Sequence, residues 1–370
     1  MTLLSVLFFC FIGVVVIQIL FYSSFLSFLS FLKPKTTKST KVPISLIICV
    51  KNDAENLKEN LPEFISQDYK DFEIVLINDN SYDDTLKVME AFKNKYGNIK
   101  IVDVKPIEPF WGNKKYALTL GIKAATHNFL VFTEPDCKPS SDQWLSKISA
   151  HFSNSTSIVL GFSVYKKIKY SFLNFLIRFD NLFTAVQYFS YAKLGIPYMG
   201  VGRNLAYHKS LFFDNGGYMS HMKLKAGDDD LFINQVATKK NTSIAIAKDS
   251  FTYSTSKLTF KDWLTKKRIH ANTTKYYKFL HRFLLSLFYC SQLLFWTLGI
   301  ILLSFLHQWE IVVGIIIFRV LLQWMCLGIS AKKLNSTDLI IWLPILEIFL
   351  ILLQLVIFSA NMIRKPKYWR

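Results

Sequence analysis

The chain has 370 residues and a net charge of +18, with 51% hydrophobic and 16% aromatic residues. Its length exceeds one average domain, yet much of it is spent on membrane-length apolar segments. The Lys and Arg residues form no nucleic-acid-binding motif and many border those segments, so the expected partner is an anionic membrane surface and not nucleic acid.

Residues 3–32 contain no charged side chain and are long enough to span a bilayer, which takes about 20 apolar residues. A secretory signal would be shorter and would end in a small-residue cleavage site. This run ends in Phe31-Leu32-Lys33-Pro34, so residues 1–32 are read as a retained anchor. Residues 33–42, rich in Lys, Thr and Ser, form a linker. Lys33, Lys35, Lys38 and Lys41 follow the anchor at once, which by the positive-inside rule places them, and the domain after them, in the cytosol.

Residues 43–280 are expected to form one soluble domain. Ile44 to Val50 is a continuous apolar run of strand length, ended by Lys51-Asn52-Asp53. Helical periodicity follows through Leu57, Leu61, Phe64 and Ile65. Glu73 to Ile77 reads as a second buried strand, with a helix carrying Leu86, Met89 and Phe92 behind it. The alternation repeats with a strand over 99–104, a helix over 114–125 and a strand over 128–133. Buried strands alternating with helices predict an α/β fold with a mainly parallel sheet of nucleotide-binding type. Beyond Asp136 the spacing predicts a helix over 143–152, a strand over 158–165 and a long aromatic segment over 170–194. The aromatic segment fits either an interfacial helix on the membrane or an ordinary core helix.

The last block, 281–370, is a membrane region of two or three spans, divided most simply near 283–306, 310–330 and 339–362. Three spans would carry the basic tail Arg364 to Arg370 away from the cytosol, against the positive-inside rule. Pro344 and Glu347 permit a bent or non-spanning last piece. Of the five cysteines, Cys10, Cys290 and Cys326 fall in apolar segments, and Cys49 and Cys137 near strand ends. No CxxC or Cys/His spacing indicates zinc or a disulfide framework, and reduced thiols agree with a cytosolic domain.

Three acidic clusters interrupt the soluble part: Asn78-Asp79-Asn80-Ser81, Glu134-Pro135-Asp136 and Asp228-Asp229-Asp230. Two of them close a buried strand, where an open α/β sheet places its ligands. Carboxylates gathered at one sheet edge suit a metal-bound diphosphate and an acid/base step.

The string Glu73-Ile-Val-Leu-Ile-Asn-Asp-Asn-Ser-Tyr-Asp-Asp-Thr85 resembles the first nucleotide-binding signature of family 2 glycosyltransferases, a strand followed by Asp-Asp-Gly/Asn-Ser-x-Asp. Asp79 matches the second acidic position and Asn78 replaces the first. Upstream, Ser45 to Leu57 resembles that family's strand and Arg-Asn-Glu-type loop, with Asp53 near the nucleoside. Downstream, Gly112-Asn-Lys-Lys-Tyr-Ala-Leu118 resembles its Gly-Lys-x-x-Ala-Leu element, with Lys114 at the matching distance from Ala117. Glu134-Pro135-Asp136 stands where the family has Asp-x-Asp, and Gly227-Asp228-Asp229-Asp230-Leu231 resembles its Glu-Asp-x-Asp/Glu-Leu signature. Register against Leu231 assigns the general base to Asp228, with Asp229 as the alternative and Gly227 in place of the usual Glu. Three acids in a row also fit a helix N-terminus stabilised by its dipole.

The resemblance implies a GT-A fold with flanking transmembrane helices and a metal-dependent, inverting glycosyltransferase of hexosyltransferase type. Its donor is a nucleotide sugar, a UDP-sugar first, with Mg²⁺ or Mn²⁺ held by Glu134 and Asp136. Asp53, Asp79, Asn80, Lys114, Glu134, Asp136 and Arg268 are the expected donor-binding residues. Arg203 and Asn204, in Pro197 to Tyr207, are candidates for the acceptor side or for holding a glycine-rich loop. The Gln-x-x-Arg-Trp of processive members is reduced to Thr265-Lys-Lys-Arg-Ile269, which points to transfer of one sugar. The expected acceptor is a lipid-linked or membrane-associated glycan, and the expected location a bacterial inner (plasma) membrane. A processive polysaccharide synthase and an inactive scaffold of the same fold are the competing readings.

Overall fold

The computed structural model describes residues 2–31, 41–105, 114–224, 226–256 and 259–364. Most of the expected linker, Gly112 and Asn113 of the lysine motif, and the tail beyond Arg364 lie outside them. In chain order the chain opens with α1 (Leu3–Phe31), followed by β1 (Ile44–Val50), α2 (Ala54–Ile65), β2 (Phe72–Asp79), α3 (Thr85–Lys95), β3 (Ile99–Val104), α4 (Lys114–Ala124) and β4 (Phe129–Thr133). Then come β5 (Cys137–Pro139), α5 (Trp144–Ser149), β6 (Ile158–Leu160), β7 (Ser163–Tyr165), α6 (Phe172–Lys193), β8 (Leu205–His208), α7 (Lys209–Asp214) and α8 (Asp230–Val236). The chain closes with β9 (Thr242–Ile244), β10 (Thr252–Ser254), α9 (Phe260–Ala271), α10 (Phe279–Ser304), α11 (Trp309–Lys333) and α12 (Leu343–Ile363). Among the described residues two compact units result: a helical unit drawn from 2–31, 171–190 and 259–364, and an α/β unit drawn from 41–170 and 191–256.

In the α/β unit the main sheet has seven strands in the order β3-β2-β1-β4-β8-β6-β9. Strands β3, β2, β1 and β4 are parallel, as the alternating pattern predicts, because each is returned by a covering helix. Beyond β4 the pairing changes: β8 runs antiparallel to both β4 and β6. A second sheet, β5-β10-β7, lies beside it. The strand expected over 158–165 divides at Gly161-Phe162 into β6 and β7, which enter different sheets. At Gly161 a Cβ would come within 2.5 Å of the Asn204 side chain, so this break needs glycine.

The core is what the apolar runs dictate. Six of the seven residues of β1 are buried, and from α2 Leu57, Leu61 and Phe64 pack onto the sheet at helical spacing. Each such side chain contributes about 1.5–3 kcal/mol on burial. The strand order reverses on either side of β1, which leaves a crevice at the C-terminal ends of β1 and β4.

The helical unit contains four helices long and apolar enough to cross a membrane, among the described residues: Leu3–Ser27, Phe279–Ser304, Trp309–Lys333 and Thr337–Ile363. Three therefore follow the α/β unit in sequence. Pro344 does not bend the last one, because it stands in the first turn of α12, where its missing N–H costs nothing. Glu347 is 1% exposed and is neutralised by Arg319, itself 0% exposed, through bonds of 2.6 and 2.7 Å. Gln292 at 2.8 Å and Tyr22 at 2.7 Å donate to the same carboxylate, and Arg319 also donates to Gln18 and to Gln323. One ionic network thus joins α1, α10, α11 and α12. The aromatic segment becomes α6, with Phe179, Phe183 and Phe189 at 1%, 4% and 0% exposure, the pattern of a packed helix and not of one lying on a surface. Its Arg178 makes a bidentate pair with Asp338 at 2.5 and 2.7 Å.

Breaking a buried pair leaves an uncompensated charge, at a cost of about 3–5 kcal/mol. Arg319→Met or Glu347→Met alone should lower the melting temperature in detergent, and the double substitution should recover most of the loss.

Candidate active site

The crevice is assembled from several segments of the α/β unit. Cys49 is the penultimate residue of β1, Thr133 closes β4 with Glu134 next to it, α4 begins with Lys114, and the loop before α8 supplies Asp228 and Asp229; all of these line one pocket. Lys114 is the common partner. Its Nζ lies 3.2 Å from Glu134 Oε1 and 3.0 Å from Asp228 Oδ2. Burial opposes the Lys114 charge, but Asp228 and then Glu134 outweigh it and hold the ammonium well above the usual lysine value. Burial likewise disfavours the Asp228 charge, and Lys114 outweighs it, leaving that carboxyl below the ordinary range.

The acidic triplet divides its work. Asp228 alone pairs with Lys114. Asp229 is the N-cap of α8, accepting from the N–H of Asp230 at 2.7 Å and of Gly202 at 2.8 Å. Asp230 is 3% exposed and accepts from the Leu231 N–H at 2.8 Å. The helix N-terminus reading therefore describes Asp229 and Asp230, while Asp228 pairs with Lys114; Asp228 and Asp229 both line the pocket. Burial first, and then the charges of Asp228 and Asp230, push Asp229 up to about 7.

Asp79 closes β2 at 7% exposure, with Lys51 Nζ 3.7 Å away. Asn80 takes a left-handed turn (φ +50) and donates to the Tyr82 hydroxyl at 3.0 Å. Asp53 stands at the N-cap position of α2 without a side-chain capping bond, and accepts from Asn56 Nδ2 at 2.7 Å. The loops after β1 and β2 are laced together: Asn52 Oδ1 accepts from Tyr82 N at 2.7 Å, and Asp83 accepts from Ala54 N at 3.2 Å. Asp136 accepts from Ser254 Oγ at 3.0 Å, and the carbonyl between Glu134 and Asp136, that of Pro135, is held by buried Asn60 at 2.9 Å. Arg203 is 8% exposed with its guanidinium 4.2 Å from the Tyr165 ring centroid. Burial opposes its charge, but Tyr165, Cys137, Glu134 and Asp136 outweigh burial.

The glycosyl transferase family 2 model matches residues 45–214, which span β1 to α7. Over that segment the chain is similar to glycosyl transferase family 2. Over 65 residues the chain is 45% identical to cholesterol galactosyltransferase from Borreliella burgdorferi, covering 18% of each protein. Over 111 residues it is 32% identical to glycosyltransferase AglE from Haloferax volcanii, covering 30% of this chain and 35% of that one. The aligned segments thus span 18% and 35% of these relatives' own lengths. Mannosyltransferase PcManGT from Pyrobaculum calidifontis, solved with GDP-Man and Mn²⁺, has the same fold: TM-score 0.60 at 15% identity, over 90% of this chain and 97% of that chain.

Two departures from the family 2 signatures have local causes. Asn78 donates to Asp103 Oδ1 at 2.7 Å and accepts from Ser81 N; an aspartate there would set two carboxylates against each other. Gly227 has φ +99, and a Cβ on it would meet Leu231 Cδ1 at 2.4 Å, so the usual Glu is excluded by the backbone.

Two expected site residues are occupied elsewhere. Asn204, 1% exposed, donates to the carbonyls of Phe162 and Ser250 at 2.9 and 2.8 Å and so anchors its loop. Arg268 lies on α9 in the helical unit and caps the end of α12, donating to the Ala360 and Arg364 carbonyls and to Asn361 at 3.0, 2.6 and 2.9 Å. Sequence reasoning missed Asn60, Asp83, Tyr207 and Tyr218. The two tyrosines line the pocket and each meets the Phe232 ring at an angle, Tyr207 tilted at 49° and Tyr218 edge-on at 77°; a polar or aromatic residue beside a motif was their only signal.

Gly227→Glu should destabilise the protein by about 1–3 kcal/mol, the cost of a non-glycine residue in this backbone region, measured as a fall in melting temperature. For Asp229, the unfolded carboxyl releases its proton in the ordinary carboxylate range, while the folded one keeps it up to about pH 7. Its contribution to stability is present at low pH and is lost as pH rises across that window. Asp229→Asn should flatten this part of the melting-temperature profile between pH 4.5 and 8.

Proposed function

We propose that the protein transfers one sugar from a nucleotide-sugar donor, a UDP-sugar first, to a hydroxyl of a lipid-linked or membrane-associated acceptor with inversion. The observation that carries this reading is Lys114 held between Glu134 and Asp228. A cation at that point sits beside both groups the reaction needs: the turn that meets the donor diphosphate, and the carboxylate that receives the acceptor proton.

Asp228 takes the proton of the acceptor hydroxyl as its oxygen attacks the anomeric carbon. The bond from that carbon to the diphosphate breaks, and the leaving oxygen carries away the electron pair. Lys114 exchanges its carboxylate partners for the diphosphate, which stabilises the developing charge and leaves Asp228 free to act as base. Asp229, its oxygens committed to backbone N–H groups, holds the loop. Asp53, Asp79 and Asn80 serve the nucleoside end of the crevice. Arg203 sets a positive charge behind Glu134 and Asp136.

Glu134 and Asp136 are hard oxygen donors on one turn. Among the described residues no group of three or more His, Cys, Asp or Glu is gathered for a metal. Two carboxylates alone fit Mg²⁺ or Mn²⁺, which complete their shell from substrate phosphates and water. When bound, the ion would help neutralise the departing diphosphate.

The four apolar helices and the likeness to a cholesterol galactosyltransferase support a lipid-borne acceptor. The lysines after α1 support a cytosolic catalytic domain over residues 43–280. Loss of the Gln and Trp around Arg268 supports single transfer over polymerisation.

The test is turnover of UDP-, GDP- and dTDP-sugars by detergent-purified protein with Mn²⁺ or Mg²⁺. One donor should be consumed, EDTA should stop the reaction, and Asp228→Asn should slow it by about 10²–10⁴-fold with nucleotide binding retained. Absence of both turnover and metal-dependent nucleotide binding would refute the reading.

A further inference from the structure

Two adjacent lysines open α4, and the chemistry above uses only the first. Lys115 is 1% exposed. Its Nζ donates to the carbonyl oxygens of His221, Leu224 and Ala226 at 3.1, 2.5 and 2.6 Å. An ammonium has three donors, and all three are committed to one short stretch of backbone. A buried ammonium is unfavourable unless its donors are matched, so a side chain needed here only to fill space would be Met or Leu. That stretch ends one residue before Gly227, whose left-handed turn leads directly into Asp228. Consecutive residues of α4 therefore grip the same loop in two ways: Lys114 by the charge of Asp228, Lys115 by the carbonyls that precede it.

We propose that Lys115 is a positioning residue, which ties the backbone at His221, Leu224 and Ala226 to the start of α4 and so holds Asp228 at the distance from Lys114 at which it serves as base. The proposal rests on the glycosyltransferase reading for what Asp228 does, but not for what Lys115 holds. Burial brings the Lys115 ammonium down to about 8 against the opposing pull of Asp228 and its neighbours; a neutral amine would have two donors for three carbonyls.

The experiment compares full-length wild type, Lys115→Met and Lys115→Arg in detergent by hydrogen exchange and by steady-state turnover of the donor found active. In Lys115→Met, exchange across residues 221–230 should rise at least fivefold, with 44–50 and 72–79 unchanged. Its kcat should fall at least tenfold, with the donor KM within threefold. Lys115→Arg, which keeps donors and charge, should restore most of the protection and part of kcat. The proposal is overturned if exchange at 221–230 is unchanged, if it rises equally throughout the α/β unit, or if it rises locally with kcat intact. Should the Met variant not fold, Lys115→Gln gives the same comparison. A wild type that turns over no donor counts against the glycosyltransferase reading; local exchange at 221–230 then decides the Lys115 proposal alone.

Discussion

A single ammonium group between two carboxylates organises the α/β unit. Lys114 meets Glu134 from the end of β4 and Asp228 from the loop before α8, segments nearly a hundred residues apart in sequence. Each partner alone would be a charge at the edge of an apolar crevice. Together they form a site with one net negative charge, in which the ammonium offsets half of the carboxylate charge. The surrounding backbone is arranged to keep these three groups in place: Asn60 on the Glu-Pro-Asp turn, Asp229 on Gly202, and Asn204 on two carbonyls.

The helical unit solves a related problem with a different outcome. Arg319 and Glu347 are fully buried among four apolar helices, with Tyr22, Gln18, Gln292 and Gln323 satisfying donors and acceptors around them. In an apolar surround such a network specifies which helices pair and in what register. The charge pair in the pocket keeps 37% and 16% of its side chains exposed, as exchange with a ligand requires. The pair in the helices keeps almost nothing exposed and is built to stay closed.

Much of this was legible in the chain. Continuous apolar runs ending in polar clusters are how buried parallel strands read, and β1, β2 and β4 fall where those runs lie. The order of the Asp79, Lys114, Glu134 and Asp228 motifs pointed to the family before any distance was known. Other features resisted reading because they depend on neighbours remote in sequence. Asn78 stands where an acid is usual because Asp103 waits across the sheet, and Arg268 keeps its charge at a motif position while spending its donors on the end of α12. Lys115 looks like any second lysine of a pair until three carbonyls are found around it.

The sequence by itself determined the α/β alternation, the apolar spans and the resemblance to family 2, since these rest on local periodicity and on short strings of fixed spacing. Only the tertiary structure decided which carboxylate of Asp228-Asp229-Asp230 pairs with Lys114, and which polar residues serve the fold instead. Side-chain direction in a loop follows from one glycine torsion, that of Gly227, and from hydrogen-bond partners brought together by packing. Neither is encoded within reach of the motif itself.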